Sequence, residues 1–362
     1  MFSKMYFGSD LPTWSLFLEL IVAGTIVILA GSRLARSADK LAKLLNVGSG
    51  WIGLILLATI TSLPEMVTGG TATAIGNVDL AMGAIFGSCC FNITLIFMLN
   101  ALRREGSVLS GDEISKSHTL TSSFGLALMT TALLGIVMIE KFAEFRPELA
   151  QACELVWAVV IAVAYLGCIR LVYRCEQEQG AGGSGAGRRQ PVGRALIANL
   201  AVMALIIAGA AWWLAVIGDT LSTHEIELIG RPLGATFVGA FFLAFATSLP
   251  EIVTSIAAVR MGNLDLALGN IFGSNMFNIF VIPCLKVVSL GSGQDLMFAG
   301  AGEDSTSTLI TGLLAILLTA IAVGGLTYKS KLRLLRGFGF DSLLILLTYV
   351  GGMMLLLMNG SP

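Results

Sequence analysis

Two stretches of this chain read Thr61-Ser62-Leu63-Pro64-Glu65 and Thr247-Ser248-Leu249-Pro250-Glu251. Around them, residues 53–92 align with residues 239–278 without a gap, and 23 of the 40 aligned positions are identical. Two unrelated apolar segments would share only about 3 to 5 such positions, even with their skewed composition. The chain therefore contains an internal repeat, and every further prediction starts from it.

Composition places this repeat in a membrane. Of the 362 residues, 56% are hydrophobic and 12% are charged, and the mean hydropathy is +0.85. Soluble domains carry roughly 25% charged residues, so this chain has too little polar surface to face water. The net charge of −1 predicts no general attraction to nucleic acid. We interpret the first apolar run as a membrane helix and not as a removed signal peptide, because no small-residue cleavage site follows it.

Ten apolar segments have about the 20 residues that a membrane-spanning helix needs. They are Thr13–Leu34, Trp51–Ile75, Leu80–Leu102, Thr119–Ile139, Ala152–Tyr173, Ala195–Ile217, Thr236–Val259, Leu266–Leu285, Thr306–Leu326 and Ser342–Met358. Between the fifth and the sixth lies a Gly-rich stretch typical of a flexible linker. We therefore predict an all-α integral membrane protein with ten transmembrane helices. Its parts are a five-helix repeat (1–173), a cytoplasmic linker (174–194) and a second five-helix repeat (195–362).

The positive charges are distributed unevenly between the two sides of the membrane. Seventeen of the 22 lysines and arginines fall on the side of the linker. The other side has only Lys4, Lys141, Arg146, Arg231 and Lys286. The positive-inside rule makes the linker side cytoplasmic. Both termini are then outside, and we expect the protein in the plasma (inner) membrane.

The two copies are predicted to be inverted relative to each other. Five helices separate equivalent points, and an odd number reverses the direction in which the chain crosses the membrane. Inverted repeats are the plan of many secondary transporters, whose binding sites lie at the repeat interface near the bilayer midplane. In such an arrangement, the glutamates of the two copies can converge on one cation.

Glu65 and Glu251 lie deep in apolar segments, where an ionisable side chain costs at least ~2.5 kcal/mol. Neither has a basic residue near it in its own segment. A single glutamate of this kind could be a protonated structural residue bonded to a neighbouring helix. Two glutamates in symmetric motifs favour a cation site that uses both carboxylates.

Candidate oxygen ligands lie close in sequence to both glutamates. Pro64 and Pro250 each remove a helix hydrogen bond and expose backbone carbonyls nearby. Ser62 and Ser248 lie three residues before the glutamates, so each serine shares a helix face with its glutamate. Carbonyl, hydroxyl and carboxylate oxygens suit Ca²⁺ or Na⁺ and not the softer metals.

Each copy continues with Gly-Asn-x-Asp and then Gly-x-Ile-Phe-Gly-Ser-x-x-Phe-Asn. The first motif predicts a tight turn in which Asp79 and Asp265 cap the next helix. In the second, the Ser and the Asn are four residues apart and share a helix face. They supply either cation ligands or interhelical hydrogen bonds, and they are Ser88, Asn92, Ser274 and Asn278. Small residues predict close helix packing at Gly83, Gly87, Gly269 and Gly273.

Three further groups of residues are assigned no chemistry by their sequence context. Glu19 lies near the outer end of the first segment and is expected to reach the membrane interface. His118 and His224 have no partner motif that predicts a metal site. The six cysteines have no paired spacing, so we interpret them as small apolar residues and not as disulfides.

These motifs resemble the alpha repeats of the cation/Ca²⁺ exchanger superfamily, most closely those of prokaryotic Na⁺/Ca²⁺ exchanger-like members. The resemblance rests on Thr-Ser-Leu-Pro-Glu followed by Gly-Asn-x-x-Gly-Ser-Asn-x-x-Asn, and it covers residues 53–92 and 239–278. It implies ten helices with cation sites between the second, third, seventh and eighth. It also implies alternating access, with Ca²⁺ moving one way and Na⁺ or H⁺ the other.

Carried over by position, the resemblance implies one ligand set drawn from both copies. The set is Thr61, Ser62, Glu65, Ser88, Asn92, Thr247, Ser248, Glu251, Ser274 and Asn278, with the carbonyls of Ala58 and Ala244. The chain departs from the family pattern at Ile60 and Ala246, where Gly is usual. The first copy has Ala84 and Cys89 where the second keeps Asn270 and Asn275.

The number of carboxylates leaves the coupling ion open. Some Na⁺/Ca²⁺ exchangers carry Asp at the position of Asn278, so this site has two carboxylates where theirs have three. Two are enough to neutralise one Ca²⁺, but they leave H⁺ coupling possible beside Na⁺ coupling.

The leading hypothesis is a secondary antiporter that exchanges Ca²⁺ for Na⁺, with an H⁺-coupled exchanger as the alternative. A cation channel lined by the same glutamates is a third hypothesis. An enzyme is disfavoured, because no nucleophile–base pair or metal-binding set recurs in the segments. The expected partners are Ca²⁺, Na⁺ or H⁺ and the lipid bilayer, with no cofactor and no nucleic acid, and the oligomeric state is not predicted.

Overall fold

The structure is a computed structural model, and it describes residues 13–45, 52–102, 108–109, 116–178, 191, 193–223, 232–293, 305–328, 333–335 and 338–359. Long apolar helices dominate the described part of the chain. The Gly-rich stretch at 180–187 and His224 lie outside it.

Eight long helices cross the described fold. They are α1 (Thr13–Leu45), α4 (Val78–Leu102), α5 (Ser117–Phe145), α6 (Pro147–Glu178), α7 (Arg194–Thr223), α11 (Leu264–Gly291), α12 (Ser305–Tyr328) and α13 (Phe340–Asn359). A short antiparallel hairpin, β1 (Arg333–Leu335) with β2 (Phe338–Gly339), precedes α13. The linker predicted at 174–194 begins with helix, because α6 continues to Glu178.

Two helical segments are broken, and both contain the repeated motif. The first consists of a π-helical stretch (Ile52–Leu57), α2 (Ala58–Thr61) and α3 (Leu63–Ala74). The second consists of α8 (Ala235–Val238), a π-helical stretch (Gly239–Leu243), α9 (Ala244–Thr247) and α10 (Leu249–Arg260).

The number of spanning helices is established only in part. All eight long helices are apolar enough to cross a membrane, and residues 235–260 form a ninth span if their 45° bend lies within one crossing. The predicted segment at 51–75 is helical over 52–74, but its break leaves no single helix of spanning length. The count of ten therefore stays a prediction.

The two helices that follow the broken segments form the centre of the molecule. In the most apolar part of α4, 89% of the residues are buried, and in α11 the share is 78%. The share is 22% in α6 and 28% in α13. Apolar side chains on α6 and α13 thus point outward, as lipid-facing helices require. Because the outer helices expose apolar side chains, the polar residues of this hydrophobic chain can lie buried at its centre.

Glycines bring the two copies into backbone contact. A Cβ on Gly87 would lie 2.3 Å from the Cα of Ala240, and a Cβ on Gly273 would lie 2.4 Å from the carbonyl oxygen of Leu54. Ala240 and Leu54 are equivalent in the repeat, so the two contacts are equivalent as well, with the roles of the copies exchanged. Reciprocal contacts of this kind follow from a local two-fold axis. The predicted close packing is confirmed at both glycines.

The predicted helix caps are wrong by two residues. The side chain of Asn77 accepts a hydrogen bond from the backbone N–H of Leu80 at 3.0 Å, and Asn263 accepts one from Leu266 at 3.0 Å. Asp79 and Asp265 instead lie in the first helical turn. Asn and Asp cap helices about equally well, so the Gly-Asn-x-Asp sequence alone does not decide between them.

Candidate functional site: a cluster of buried oxygens

The candidate site forms where both broken helices are interrupted. Ser62 has φ −89° and ψ 9°, and Ser248 has φ −83° and ψ 7°, so both residues leave helical geometry in the same way. A proline follows two residues later and cannot donate the helical hydrogen bond. Each new helix then begins with a glutamate in its first turn. The positive end of the helix dipole stabilises a carboxylate at that place.

The serines of each copy bond to the glutamate of the other. Ser62 Oγ donates to Glu251 Oε1 at 3.1 Å, and Ser248 Oγ donates to Glu65 Oε1 at 3.1 Å. Two more serines approach from α4 and α11: Ser88 Oγ lies 3.5 Å from Glu65 Oε1, and Ser274 Oγ lies 3.3 Å from Glu251 Oε1. The structure thus brings both predicted carboxylates and all four predicted serines into one cluster.

Each carboxylate keeps one oxygen unused. Glu65 Oε2 and Glu251 Oε2 are buried and have no hydrogen-bond partner among the described residues. No lysine, arginine or histidine of the described chain forms an ion pair with either glutamate. Both side chains are almost completely buried, with 1% and 0% of their surface exposed. Buried carboxylates normally have partners, and a bound cation would provide one.

The two threonines of the motif bond to their own helices. Thr61 Oγ1 donates to the carbonyl of Leu57 at 3.0 Å, and Thr247 Oγ1 donates to that of Leu243 at 2.9 Å. The predicted carbonyl ligand of Ala58 accepts from the backbone of Ser62, and that of Ala244 accepts from Ser248. Each threonine side chain also interacts with the glutamate of the other copy, so both predicted threonines lie at the cluster.

The asparagines lie on the same helices, one turn beyond the serines. Asn92 Nδ2 donates to Asn275 Oδ1 at 3.1 Å, while its own Oδ1 has no described partner. Asn278 is fully buried, and neither atom of its amide has a partner among the described residues. Cys89 Sγ and Asn275 Nδ2 each contact the other residue's backbone carbonyl, at 3.8 Å and 3.1 Å. Residues 89 and 275 are equivalent, so they meet at the two-fold axis.

Sequence reasoning assigned no contacts to Asn270, which connects several parts of the site. Its Nδ2 donates to Thr254 Oγ1 at 3.0 Å and lies 3.3 Å from Ser255 Oγ. Its Oδ1 accepts from Thr61 Oγ1 at 3.3 Å. The first copy has Ala84 at this position and forms no such bridge. The departure from internal symmetry was the signal that could have identified it.

Three ionisable side chains outside the cluster have partners that the sequence did not predict. Glu19, which was expected to reach the membrane interface, is buried within the protein and accepts a hydrogen bond from Trp213 Nε1 at 2.8 Å. Lys286, which follows the eighth apolar segment, lies inside α11 and not in a loop. It is buried, and its Nζ lies 2.5 Å from Glu154 Oε2. His118 Nε2 lies 2.9 Å from Asp265 Oδ1.

Comparison with known families gives one match over most of the chain. The family model described as "Sodium/calcium exchanger protein" matches residues 15–174 and 196–358. The putative antiporter CaxA of Alkalimonas amylolytica is 28% identical over 316 residues, which cover 85% of this chain and 90% of the relative. The inner membrane protein YrbG of Escherichia coli K12 is 29% identical over 304 residues, covering 82% and 87%.

A solved structure shares the fold. The sodium-calcium exchanger NCX_Mj superposes with a TM-score of 0.59 and 20% sequence identity, and the match covers 94% of this chain and 98% of that one. At this identity the likeness concerns the fold alone. It extends over both copies of the repeat and over the helices around them.

Proposed function

Because this chain belongs to the sodium/calcium exchanger protein family, we propose that it is a secondary antiporter that moves Ca²⁺ across the membrane in exchange for Na⁺. The family consists of exchangers, and one relative bears the name of an antiporter. The proposed site is the oxygen cluster at the two breaks. The name of the Escherichia coli relative supports an inner-membrane location.

The reciprocal bonding of the two glutamates is the observation that carries this proposal. Each carboxylate is held by a serine of the other copy, and each keeps one oxygen without a described partner. Ca²⁺ prefers six to eight oxygen ligands at about 2.3–2.6 Å. Two carboxylates, four serine hydroxyls and the amide oxygens of Asn92 and Asn278 supply such a set.

Exchange follows from competition for these oxygens. A serine hydroxyl has two acceptor lone pairs, so it can donate its proton to a carboxylate and still coordinate a cation. Ca²⁺ and the coupling cations need the same two carboxylates for charge compensation, so they cannot occupy the cluster together. A cation leaving on one side of the membrane therefore makes room for the other kind.

The two helix breaks support alternating access as the proposed transport mechanism. Half-helices α3 and α10 begin at the cluster and extend away from it, and α10 makes an angle of 45° with the segment before it. Movement of one repeat against the other would open the cluster to one side at a time. In the proposed orientation both termini are outside, and α3 leads outward while α10 leads to the cytoplasm.

The test is Ca²⁺ flux in proteoliposomes with Na⁺ and proton gradients imposed separately. We expect Ca²⁺ uptake when Na⁺ inside exceeds Na⁺ outside, and no uptake without an opposing gradient. Uptake that ignores both gradients would favour a channel. Uptake driven by protons alone would replace Na⁺ by H⁺ as the coupling ion.

The site assignment is tested with Glu65→Gln and Glu251→Gln. Each change keeps the shape of the side chain but removes one of two charges, so we expect Ca²⁺ flux to fall by at least about 100-fold. Glu144→Gln is the matched control, because Glu144 is exposed and bonded to Lys141. Wild-type flux in both site variants would exclude this cluster as the transport site.

H⁺ coupling is the second candidate, and the unpartnered carboxylate oxygens favour it. A proton on Glu65 Oε2 or Glu251 Oε2 would neutralise a buried carboxylate without any further ligand. Na⁺ needs several oxygens at once, whereas a proton needs only one. The gradient experiment separates the two ions directly.

A further inference from the structure

An apolar groove lies beside the second helix break. One wall is α1, from Phe17 to Ile28, and the other wall runs from Phe241 in the π-helical stretch to Leu249 at the start of α10. The volume of the groove is about 520 Å³, which is within the range of pockets that bind small molecules. None of its lining residues belongs to the proposed cation cluster, so the groove needs an explanation of its own.

Two small residues that face each other keep this space open. A Cβ on Gly24 of α1 would lie 3.7 Å from the Cβ of Ala246. The residue equivalent to Ala246 in the first copy is Ile60, whose side chain packs in a cluster with Leu34 of α1 and Ile207 of α7. The first copy therefore places a large apolar side chain at the position where the second copy leaves a gap.

The chemistry of the lining favours an apolar occupant. The lining side chains are those of phenylalanine, leucine, isoleucine, alanine and glycine, and Thr25 is the one polar residue among them. Its hydroxyl donates to the carbonyl of Ile21 in its own helix at 2.7 Å. A buried water needs two to four polar partners, which these walls do not supply. The same lack of polar partners excludes an ion or a lipid headgroup.

The dimensions of the groove fit one hydrocarbon chain. Residues 17–28 cover about three turns of α1, or ~16 Å, which is close to half the thickness of the hydrocarbon core and so to the length of one leaflet. A partner helix is about 10–12 Å across, so a groove of this volume would hold only about one of its turns. Ile21 and Phe245 at the rim are exposed, so the groove is open to the bilayer.

We propose that this groove binds one acyl chain of a bilayer phospholipid, which packs between α1 and the second broken segment. Lipid chains are as apolar as these walls, so binding depends on the dispersion contacts that an empty groove would lose. The proposal does not depend on the exchange function. In the proposed exchanger, however, the chain would contact both repeats, because α1 belongs to the predicted first repeat and the facing wall to the second. A bound chain would then favour the arrangement of the repeats that it fits best.

The experiment uses the full chain in phosphatidylcholine vesicles that contain a small fraction of phosphatidylcholine with a diazirine near the end of one acyl chain. Illumination couples this chain to the residues that it touches, and mass spectrometry of the peptides locates them. We expect the groove residues to be labelled about tenfold more than Val163, which is exposed midway along α6. Equal labelling would mean ordinary lipid contact and would overturn the proposal. Labelling of Val163 without labelling of the groove would mean a different occupant and would also overturn it.

Ala246→Ile tests the groove itself, because it gives the second copy the residue of the first. We expect labelling of the groove to fall about tenfold, which corresponds to ~1.4 kcal/mol of binding free energy, while labelling of Val163 stays the same. Ala201→Ile makes the same change on an exposed position of α7 and should leave both unchanged. A folded Ala246→Ile protein whose groove is labelled like the wild type would refute the assignment. If that variant does not fold, Thr25→Phe narrows the groove from α1 and provides the same test.

Discussion

The two copies of the repeat share the broken helix and its glutamate but differ in residues of the helix that follows. Both place a serine at the break and a glutamate one turn later, and both give a glycine to a backbone contact. They differ at equivalent positions 84 and 270, and at 89 and 275. On the Glu251 side, the amide of Asn270 connects Thr61 with Thr254 and Ser255.

Near Glu65, the described residues form no equivalent amide bridge, because Ala84 stands where the second copy has Asn270. There, Thr68 donates to the carbonyl of Ala211 on α7 at 3.2 Å, whereas its counterpart Thr254 receives the bond from Asn270. The first copy is thus connected to a neighbouring helix, and the second copy is connected within the site. The two copies are thus alike at the proposed cation-binding residues and differ at the residues that contact them.

The largest expected effect concerns a second asymmetry, eight residues beyond the asparagines of the two copies. Lys286 forms a buried ion pair with Glu154, whereas Asn100, at the equivalent position of α4, donates to Ser342. Lys286→Met removes the ion-pair partner of a buried carboxylate, so we expect a loss of about 3–5 kcal/mol in stability. Thermal unfolding of the purified protein in detergent measures it.

A double variant makes the second copy resemble the first. In Lys286→Asn with Glu154→Ser, no buried charge is left without its counterpart, so most of the lost stability should return. A double variant that is less stable than Lys286→Met would show that the charges themselves are needed. Lys141→Met is the matched control, since the Lys141–Glu144 pair is exposed and should contribute little.

The next largest effect tests where the copies are alike. Gly87→Ala and Gly273→Ala each place a methyl group against backbone atoms of the other copy. Overpacking of this kind costs about 1–3 kcal/mol, and we expect equal losses of thermal stability at the two sites. In Gly209→Ala, the added Cβ has no neighbour within 4 Å. A loss at only one of the two contact glycines would contradict the reciprocal geometry.

The smallest expected effect concerns Asn270. Asn270→Ala gives the second copy the residue of the first and removes the bridge to Thr254 and Thr61. We expect the apparent Ca²⁺ affinity to fall by about tenfold, as when residues behind metal ligands are replaced. The affinity is measured as the Ca²⁺ concentration that gives half-maximal flux. Asn199→Ala, which loses the bond from α7 to Ser37 on α1, should keep the wild-type value.

The sequence alone was sufficient to predict an all-helical membrane protein and the meeting of the two glutamates in the candidate site. Composition predicted membrane helices, and the repeated Thr-Ser-Leu-Pro-Glu predicted that Glu65 and Glu251 would converge. Such predictions succeed because they depend on local residue chemistry and on chain direction. The cross-copy bonds of Ser62 and Ser248 then follow once the glutamates meet.

Other features depend on how distant residues meet, and the sequence could not predict them. Glu154 and Lys286 are 132 residues apart, and no local pattern marks them as partners. Glu19 was predicted to reach the membrane interface from its position along the first segment. The sequence did not indicate that this side chain bonds to Trp213, which lies 194 residues away. The caps were misassigned because Asn and Asp, two positions apart, have the same capping ability.

The reciprocal serine–glutamate bonds also determine what a single copy can achieve. One copy contains one carboxylate and the serine that holds the carboxylate of the other, so it contains half of a site. Alone, it would complete the site only by pairing with a second copy inserted in the opposite direction. When both copies are joined in one chain, that pairing no longer depends on an encounter between subunits. Each copy can then change by itself, as Ala84 and Asn270 illustrate.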